Sequence, residues 1–176
     1  VDEGARTGRT YIDATDYTEW HYVDLHGKQV TTTQVGDAAP ETWDFAVHRY
    51  DTKTNGGTVW ESQAGSFDAL PAPESVSEEQ WTEDEWTTDR ITIDMSQMMD
   101  GIILYAEDYW NPTLSRWLNV DTSTMPPIYT LSGKIYLLRL KDGTCAALRL
   151  ANFMNDAAVK GYMTIDSVSY THLTLP

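Results

Sequence analysis

Four of the six methionines fall in two short stretches that read as turns: Met95, Met98 and Met99 in MSQMMDG (95–101), and Met125 in DTSTMPP (121–127). A thioether is a soft, uncharged donor that suits the iron of a porphyrin, where methionine is an established axial ligand. Gap-filling methionine is most useful inside a packed element, so a group of them in turns is unusual. Most methionine is packing all the same, and position alone does not separate the two roles. Met98 and Met99 are neighbours, and in an extended segment they point opposite ways, so only one would face a given ligand.

The remaining reactive side chains suggest less. His48 sits in the apolar stretch VHRY and reads as a buried, hydrogen-bonded imidazole. His21 and His26 are five residues apart, a spacing that does not place both on one face of a strand. Cys145 is the single cysteine, set in TCAAL, and reads as a small buried residue with no disulfide partner within the chain. The sequence contains no Gly-rich phosphate loop, no Gly-x-Ser-x-Gly elbow and no His-Glu-x-x-His helix. Asp100-Gly101 and Asp142-Gly143 lack the alternating oxygen ligands of a calcium loop. The expectation is a protein that is not an enzyme.

The elements that must position the two methionine turns read as strands. Ile91 and Ile93 alternate in residues 90–94, residues 102–107 return as a strand, and residues 117–120 form another that ends in a loop stiffened by Pro126 and Pro127. The clearest hairpin joins 134–140 to 144–151 through Lys141-Asp142-Gly143. At the centre lies WDFAVHRYDTKTNGG (43–57), with bulky residues at both parities. It reads as one strand covered on both faces that stops at Thr54-Asn55-Gly56-Gly57. Residues 11–12, 20–25, 28–35, 58–61 and 162–166 complete the strand set. Helical turns are expected only after Ser77, at the head of the acidic connection 78–89, and over 156–160. The class is all-β: one antiparallel, sandwich-like domain over residues 10–167, after a loose lead-in at 1–9. The tail VSYTHLTLP (168–176) resembles a sequencing adapter translated in frame, so it and His172 are set aside from function.

Composition bounds the partners. The 176 residues suit one domain. A net charge of −15 argues against nucleic acid and against an anionic membrane surface. No apolar run reaches the length of a bilayer-spanning helix.

The run Trp43-Asp44-Phe45-Ala46-Val47-His48-Arg49-Tyr50-Asp51 leading into Thr54-Asn55-Gly56-Gly57 resembles the hallmark of the HmuY family, and the resemblance extends from about Thr10 to Asp166. It implies an all-β fold that grips one non-covalent haem b between two axial ligands. It also implies an outer-membrane lipoprotein or secreted protein, with an export signal or lipid anchor upstream, that takes haem from host or environmental haemoproteins. The haem would then pass to a TonB-dependent outer-membrane haem transporter. The family presents one ligand near the hairpin tip after an Ile-Thr-apolar strand, here Ile91-Thr92-Ile93. The second lies between a Trp-Leu strand and a Pro-x-Tyr-x-Leu-Ser segment, here Trp117-Leu118 and Pro127 to Ser132. Where the founding member has histidines this chain has Ile102 and Thr122, so the resemblance points to Met125 with Met98 or Met99, and Met95 as a further candidate. Tyr105, Tyr109, Trp110, Trp117 and Tyr129 flank the two loops as candidate porphyrin walls, and Arg90, Arg116 and Lys134 as candidate propionate partners.

A different class also fits the residues. In a Trp-rich β-sandwich adhesion or carbohydrate-binding module, Trp81, Trp86 and Trp110 would stack on sugar faces.

Overall fold

The computed structural model describes residues 5–25, 27–124, 126–141 and 143–170. Fourteen strands occur among them: β1 (Ala5–Asp13), β2 (Glu19–Asp24), β3 (Gln29–Gln34), β4 (Phe45–His48), β5 (Asp51–Thr54), β6 (Thr58–Glu61) and β7 (Thr82–Glu83), then β8 (Glu85–Asp94), β9 (Leu104–Trp110), β10 (Leu118–Asp121), β11 (Ile128–Leu131), β12 (Tyr136–Arg139), β13 (Cys145–Met154) and β14 (Lys160–Tyr170). Helix is confined to short 3-10 turns of three or four residues. The all-β expectation holds.

Two sheets make the body, a six-stranded one in the order β1-β14-β13-β12-β6-β7 and a four-stranded one in the order β3-β2-β4-β5. Their facing sides share the main core, in which Val23, Phe45 and Val47 meet Val59, Tyr136, Leu138, Leu148 and Ile165. The opposite parity is buried too. Leu137 and Ala147 of the six-stranded sheet, with Ile135 just before β12, are covered by Val76 and Trp81, and Trp20, Tyr22 and Ala46 of the four-stranded sheet by Ile91 of β8. That double cover is why β4 and β12 read as continuous apolar runs instead of alternating ones.

The central stretch is not one strand. It folds into the β4–β5 hairpin, with His48 opposite Asp51 and Arg49-Tyr50 as the turn. Arg49 takes φ 53°, a left-handed conformation that costs a non-glycine residue roughly 1–2 kcal/mol. Its guanidinium offsets this by lying 4.5 Å over the Tyr17 ring and donating to the Ala14 carbonyl at 3.2 Å. The sequence stretch lacked the Gly or Asn that normally marks such a reversal, so the turn was invisible. The Asn-Gly-Gly turn does end β5, and a Cβ on Gly57 would come within 2.5 Å of the Arg139 carbonyl oxygen.

Four further boundaries differ from the sequence reading. β1 begins at Ala5, inside the expected lead-in, because it pairs along its whole length with β14. β14 runs to Tyr170, so residues 168–170 of the set-aside tail are strand, while His172 lies outside the described residues. The acidic connection 78–89 opens on the helical turn expected after Ser77, at Glu78–Gln80, but its last five residues begin β8, and residues 156–159 are a tight turn closed by Asn155 instead of a helical one.

Candidate functional site

Two hairpins belong to neither large sheet. β8 and β9 pair only with each other, and so do β10 and β11. Each follows from alternation on either side of a forced turn, and each carries one of the methionine loops.

At the β8–β9 tip, Met98–Asp100 form a 3-10 turn closed by Gly101 at φ 78°. Gly101 N donates to Met98 O at 2.9 Å, and Met98 N to Met95 O at 3.0 Å. The neighbours Met98 and Met99 are therefore not extended, and a three-residue turn sets their side chains about 120° apart. Met99 is 93% exposed and Met98 41%, whereas Met95 is half-buried. The Asp121 carboxylate shapes the β10–β11 tip by accepting from Ser123 N (2.9 Å) and Oγ (2.6 Å). Met125 lies outside the described residues.

Apolar exposure concentrates on these hairpins. Of the twelve large apolar side chains exposed among the described residues, seven stand on the β8–β9 hairpin: Trp86, Met98, Met99, Ile102, Leu104, Tyr105 and Tyr109. Two more, Val120 and Ile128, stand on β10–β11. Contiguous apolar surface left open to water marks a binding site more often than chance exposure does.

The aromatic candidates divide. Tyr105 and Tyr109 are exposed on β9, Tyr109 with its edge toward Trp86 at 5.1 Å. Trp110 is half-buried against the four-stranded sheet. Tyr129 is half-buried between Tyr50 (5.3 Å) and Phe153 (5.9 Å). Burial pushes the Tyr50 hydroxyl up to about 12. Trp117 departs from its expected role as a porphyrin wall. It is fully buried in the main core, and its Nε1 donates to the Tyr50 carbonyl at 3.1 Å, so its ring roots the hairpin and offers no face to a ligand.

The three-tryptophan sugar platform is not present either. Trp81 is buried beneath the 62–81 loop with the Arg139 guanidinium 4.4 Å above it, Trp110 is half-covered, and only Trp86 is open. Buried rings cannot stack on a sugar face.

Among the cations, Arg116 and Lys134 are both engaged by Glu61, at 3.4 and 3.0 Å, and Arg90 lies 5.0 Å over Trp110. The sequence reading missed Lys160. The β13–β14 turn brings its Nζ to 5.1 Å from the Tyr129 ring, with no carboxylate partner among the described residues. No local pattern could have linked residues 129 and 160. His48 is fully buried, its Nε2 at 2.7 Å from the Tyr17 carbonyl oxygen and its Nδ1 at 3.3 Å from Asp51. Burial lowers the His21 pKa, and His21 Nδ1 lies 2.9 Å from Thr32 Oγ1. His26 lies outside the described residues.

The family model described as HmuY protein matches residues 16–166. A solved protein from Bacteroides vulgatus, assigned as HmuY-like and heme-binding, is 54% identical with a TM-score of 0.84, over 92% of this chain and 90% of its own. A protein from Bacteroides fragilis assigned as a lipoprotein is 48% identical with a TM-score of 0.87, over 100% of this chain and 94% of its own. The apo HmuY analog of Tannerella forsythia shares the fold at 22% identity and a TM-score of 0.81, over 96% of this chain and 98% of its own. No curated protein matches the chain. With a matched segment that takes in the four-stranded sheet, all of the six-stranded one but β1 and the end of β14, and both free hairpins, the chain belongs to the HmuY family.

Proposed function

We propose that this protein captures one haem between the β8–β9 and β10–β11 hairpins, holds the iron by methionine, and passes the haem to a TonB-dependent outer-membrane transporter. The observation that carries this reading is the clustering of exposed apolar side chains on the two hairpins, beside the methionine loops. Membership of the HmuY family and the heme-binding assignment of a 54% identical relative support the ligand class.

The residues suit the group. Haem presents two flat apolar faces, two carboxylates and an iron with two axial positions. Tyr105 and Tyr109 offer exposed ring surface, Tyr129 a half-buried ring, and Met98 and Met99 offer thioethers on an exposed turn. Met125, in the partner loop, is the second ligand. Lys160 beside Tyr129 receives a propionate. Cys145 is the single cysteine and is buried in β13, so the haem is held as non-covalent haem b. The haem comes from host or environmental haemoproteins, and the protein acts at the cell surface as a lipoprotein or in secreted form, in keeping with the lipoprotein assignment of the Bacteroides fragilis relative.

Haemin titration followed by the Soret band tests the reading. The wild type gives a saturable one-to-one complex. Met125→Ala shifts its spectrum and weakens it by about tenfold or more, equivalent to at least about 1.4 kcal/mol. One of Met98→Ala and Met99→Ala behaves likewise. An unaltered Soret band in Met125→Ala removes that residue from the site, and a wild type with no spectral change removes the haem.

A further inference from the structure

The two hairpins are rooted differently. β10–β11 enters the main core through Trp117 and Leu118, an apolar anchorage. β8–β9 also packs Ile91 against Trp20 and Tyr22, but it carries a charge at its root. Lys53 on β5 is 8% exposed, and its Nζ lies 3.0 Å from Asp108 Oδ2 on β9. The same ammonium sits 4.1 Å from the Trp20 ring, 5.1 Å from Tyr22 and 5.9 Å from Trp43. A buried ammonium needs compensation from every side. Here three ring faces and the Asp108 carboxylate supply it at close range, the Asp84 carboxylate acts on the same ammonium through its charge, and Asp108 comes from the hairpin side of the joint. Asp108 Oδ1 is in turn held by Tyr109 N at 2.7 Å.

The position gives this pair leverage. Asp108 on β9 and Ile102 at the tip are six residues apart, about 20 Å for a chain extended at 3.3 Å per residue. Ligand geometry needs to be held to within about 0.5 Å, which a tilt of only about 1.5° at the root would exhaust. An apolar contact such as Ile91 resists separation but tolerates sliding, because hydrophobic attraction is non-directional. Directional bonds resist it: Asn111 N, just past β9, donates to Thr52 O at 2.7 Å, Thr54 N donates to Asp84, just before β8, at 2.8 Å, and the Lys53–Asp108 pair adds a charge-assisted bond between the strands themselves.

We propose that Lys53, caged by Trp20, Tyr22 and Trp43 and paired with Asp108, is a positioning residue that completes the fixing of the β8–β9 hairpin, and so helps to set how long captured haem is held without touching it. This rests on the haem reading for its consequence, but not for its mechanical half. Lys53→Met keeps an unbranched, polarizable side chain against the three rings and removes the charge, and the partly exposed Asp108 carboxylate can then be solvated.

The experiment measures amide exchange and haem release on the intact chain for Lys53→Met, Asp108→Asn, the double variant and Lys53→Arg. Exchange in residues 91–107 of the haem-free protein should quicken about tenfold or more in either single variant, while β12 to β14 keep their protection. Haem release should quicken in the same two variants, and the double variant should add little beyond either. Lys53→Arg should restore part of both. Unchanged exchange in residues 91–107, or an equal rise across all strands, overturns the positioning role. Should Lys53→Met fail to fold, Asp108→Asn decides the question alone. If the wild type takes up no haem, the functional reading fails, while the exchange comparison still decides whether the pair holds the hairpin.

Discussion

Trp117→Phe separates a core residue from a ligand wall. The indole is fully buried among Leu114, Leu118 and Tyr136, and its Nε1 satisfies the Tyr50 carbonyl at 3.1 Å. Phenylalanine keeps much of the ring volume but cannot donate. Leaving a buried carbonyl unpaired costs about 1–3 kcal/mol. Full truncation of a buried tryptophan costs about 3–5 kcal/mol, so the partial volume loss adds about 1 kcal/mol and the total comes to about 2–4 kcal/mol. For a chain of this length that lowers the unfolding midpoint by about 5–15 °C. Circular dichroism on heating reads the midpoint, and haemin titration below it reads the site; the Soret maximum should stay where the wild type has it. Tyr105→Ala supplies the contrast. With 41% of its surface exposed, this residue should change stability by no more than about 0.5–1 kcal/mol yet weaken haem binding. A Trp117→Phe protein with an unchanged midpoint and lost haem affinity would place the indole in the ligand gap and refute the reasoning.

Other outcomes follow from the same geometry. Thioethers take up no proton, so haem affinity should persist from pH 7 to pH 5, whereas histidine ligation would weaken over that range; parallel titrations at the two values decide. Lys160→Gln should weaken binding of haem but leave binding of its dimethyl ester, which lacks the propionate charges, unchanged; equal effects on both ligands would exclude the pairing. Burial opposes ionisation of Glu61, yet hydrogen bonding from Lys134 and the charges of Lys134 and Arg116 prevail and hold its carboxyl below the ordinary 4.5. A depressed carboxyl stabilises above its unfolded value and loses that contribution as pH falls through the folded one. Acid unfolding of Glu61→Gln should therefore show a shallower loss of stability below the carboxylate range than the wild type.

The sequence was legible where one residue type decides local geometry. Lys141-Asp142-Gly143 and Asn55-Gly56-Gly57 were visible as turns because their glycines permit positive φ, and Gly56 and Gly143 take φ 69° and 88°. Cover on both faces was legible in β4, because Phe45, Ala46 and Val47 meet two layers and are apolar at successive positions. What escaped was set by distant partners. Arg49 reverses the chain only because Tyr17 and Ala14 receive its guanidinium, and neither neighbours it in sequence. Residues 85–89 are strand because β9 returns beside them, against an acidic composition that favours solvated loop. Turn chemistry alone read the 95–101 stretch as a turn and the 121–127 stretch as a proline-stiffened loop, and both join paired strands. The sorting of the aromatic residues around them into exposed and core was not legible, because Trp110 and Trp117 sit alike in sequence and differ only in what packs over them.

Charge and apolar surface set how such a site can work. The chain carries −15, and a haem carries two carboxylates of the same sign, so the long-range field opposes the encounter. Screening reduces that opposition, since the Debye length falls from about 30 Å at 0.01 M salt to about 8 Å at physiological strength. Attraction has to be short-ranged, and at the proposed site the open side chains of the two hairpins would supply it, at about 25 cal/mol for each Å² of apolar surface taken out of water. The same surface would promote self-association in a neutral protein. A strongly acidic body keeps such molecules apart while leaving a flat apolar ligand free to dock, so the same charge that argues against nucleic acid lets two apolar hairpins stand open in water.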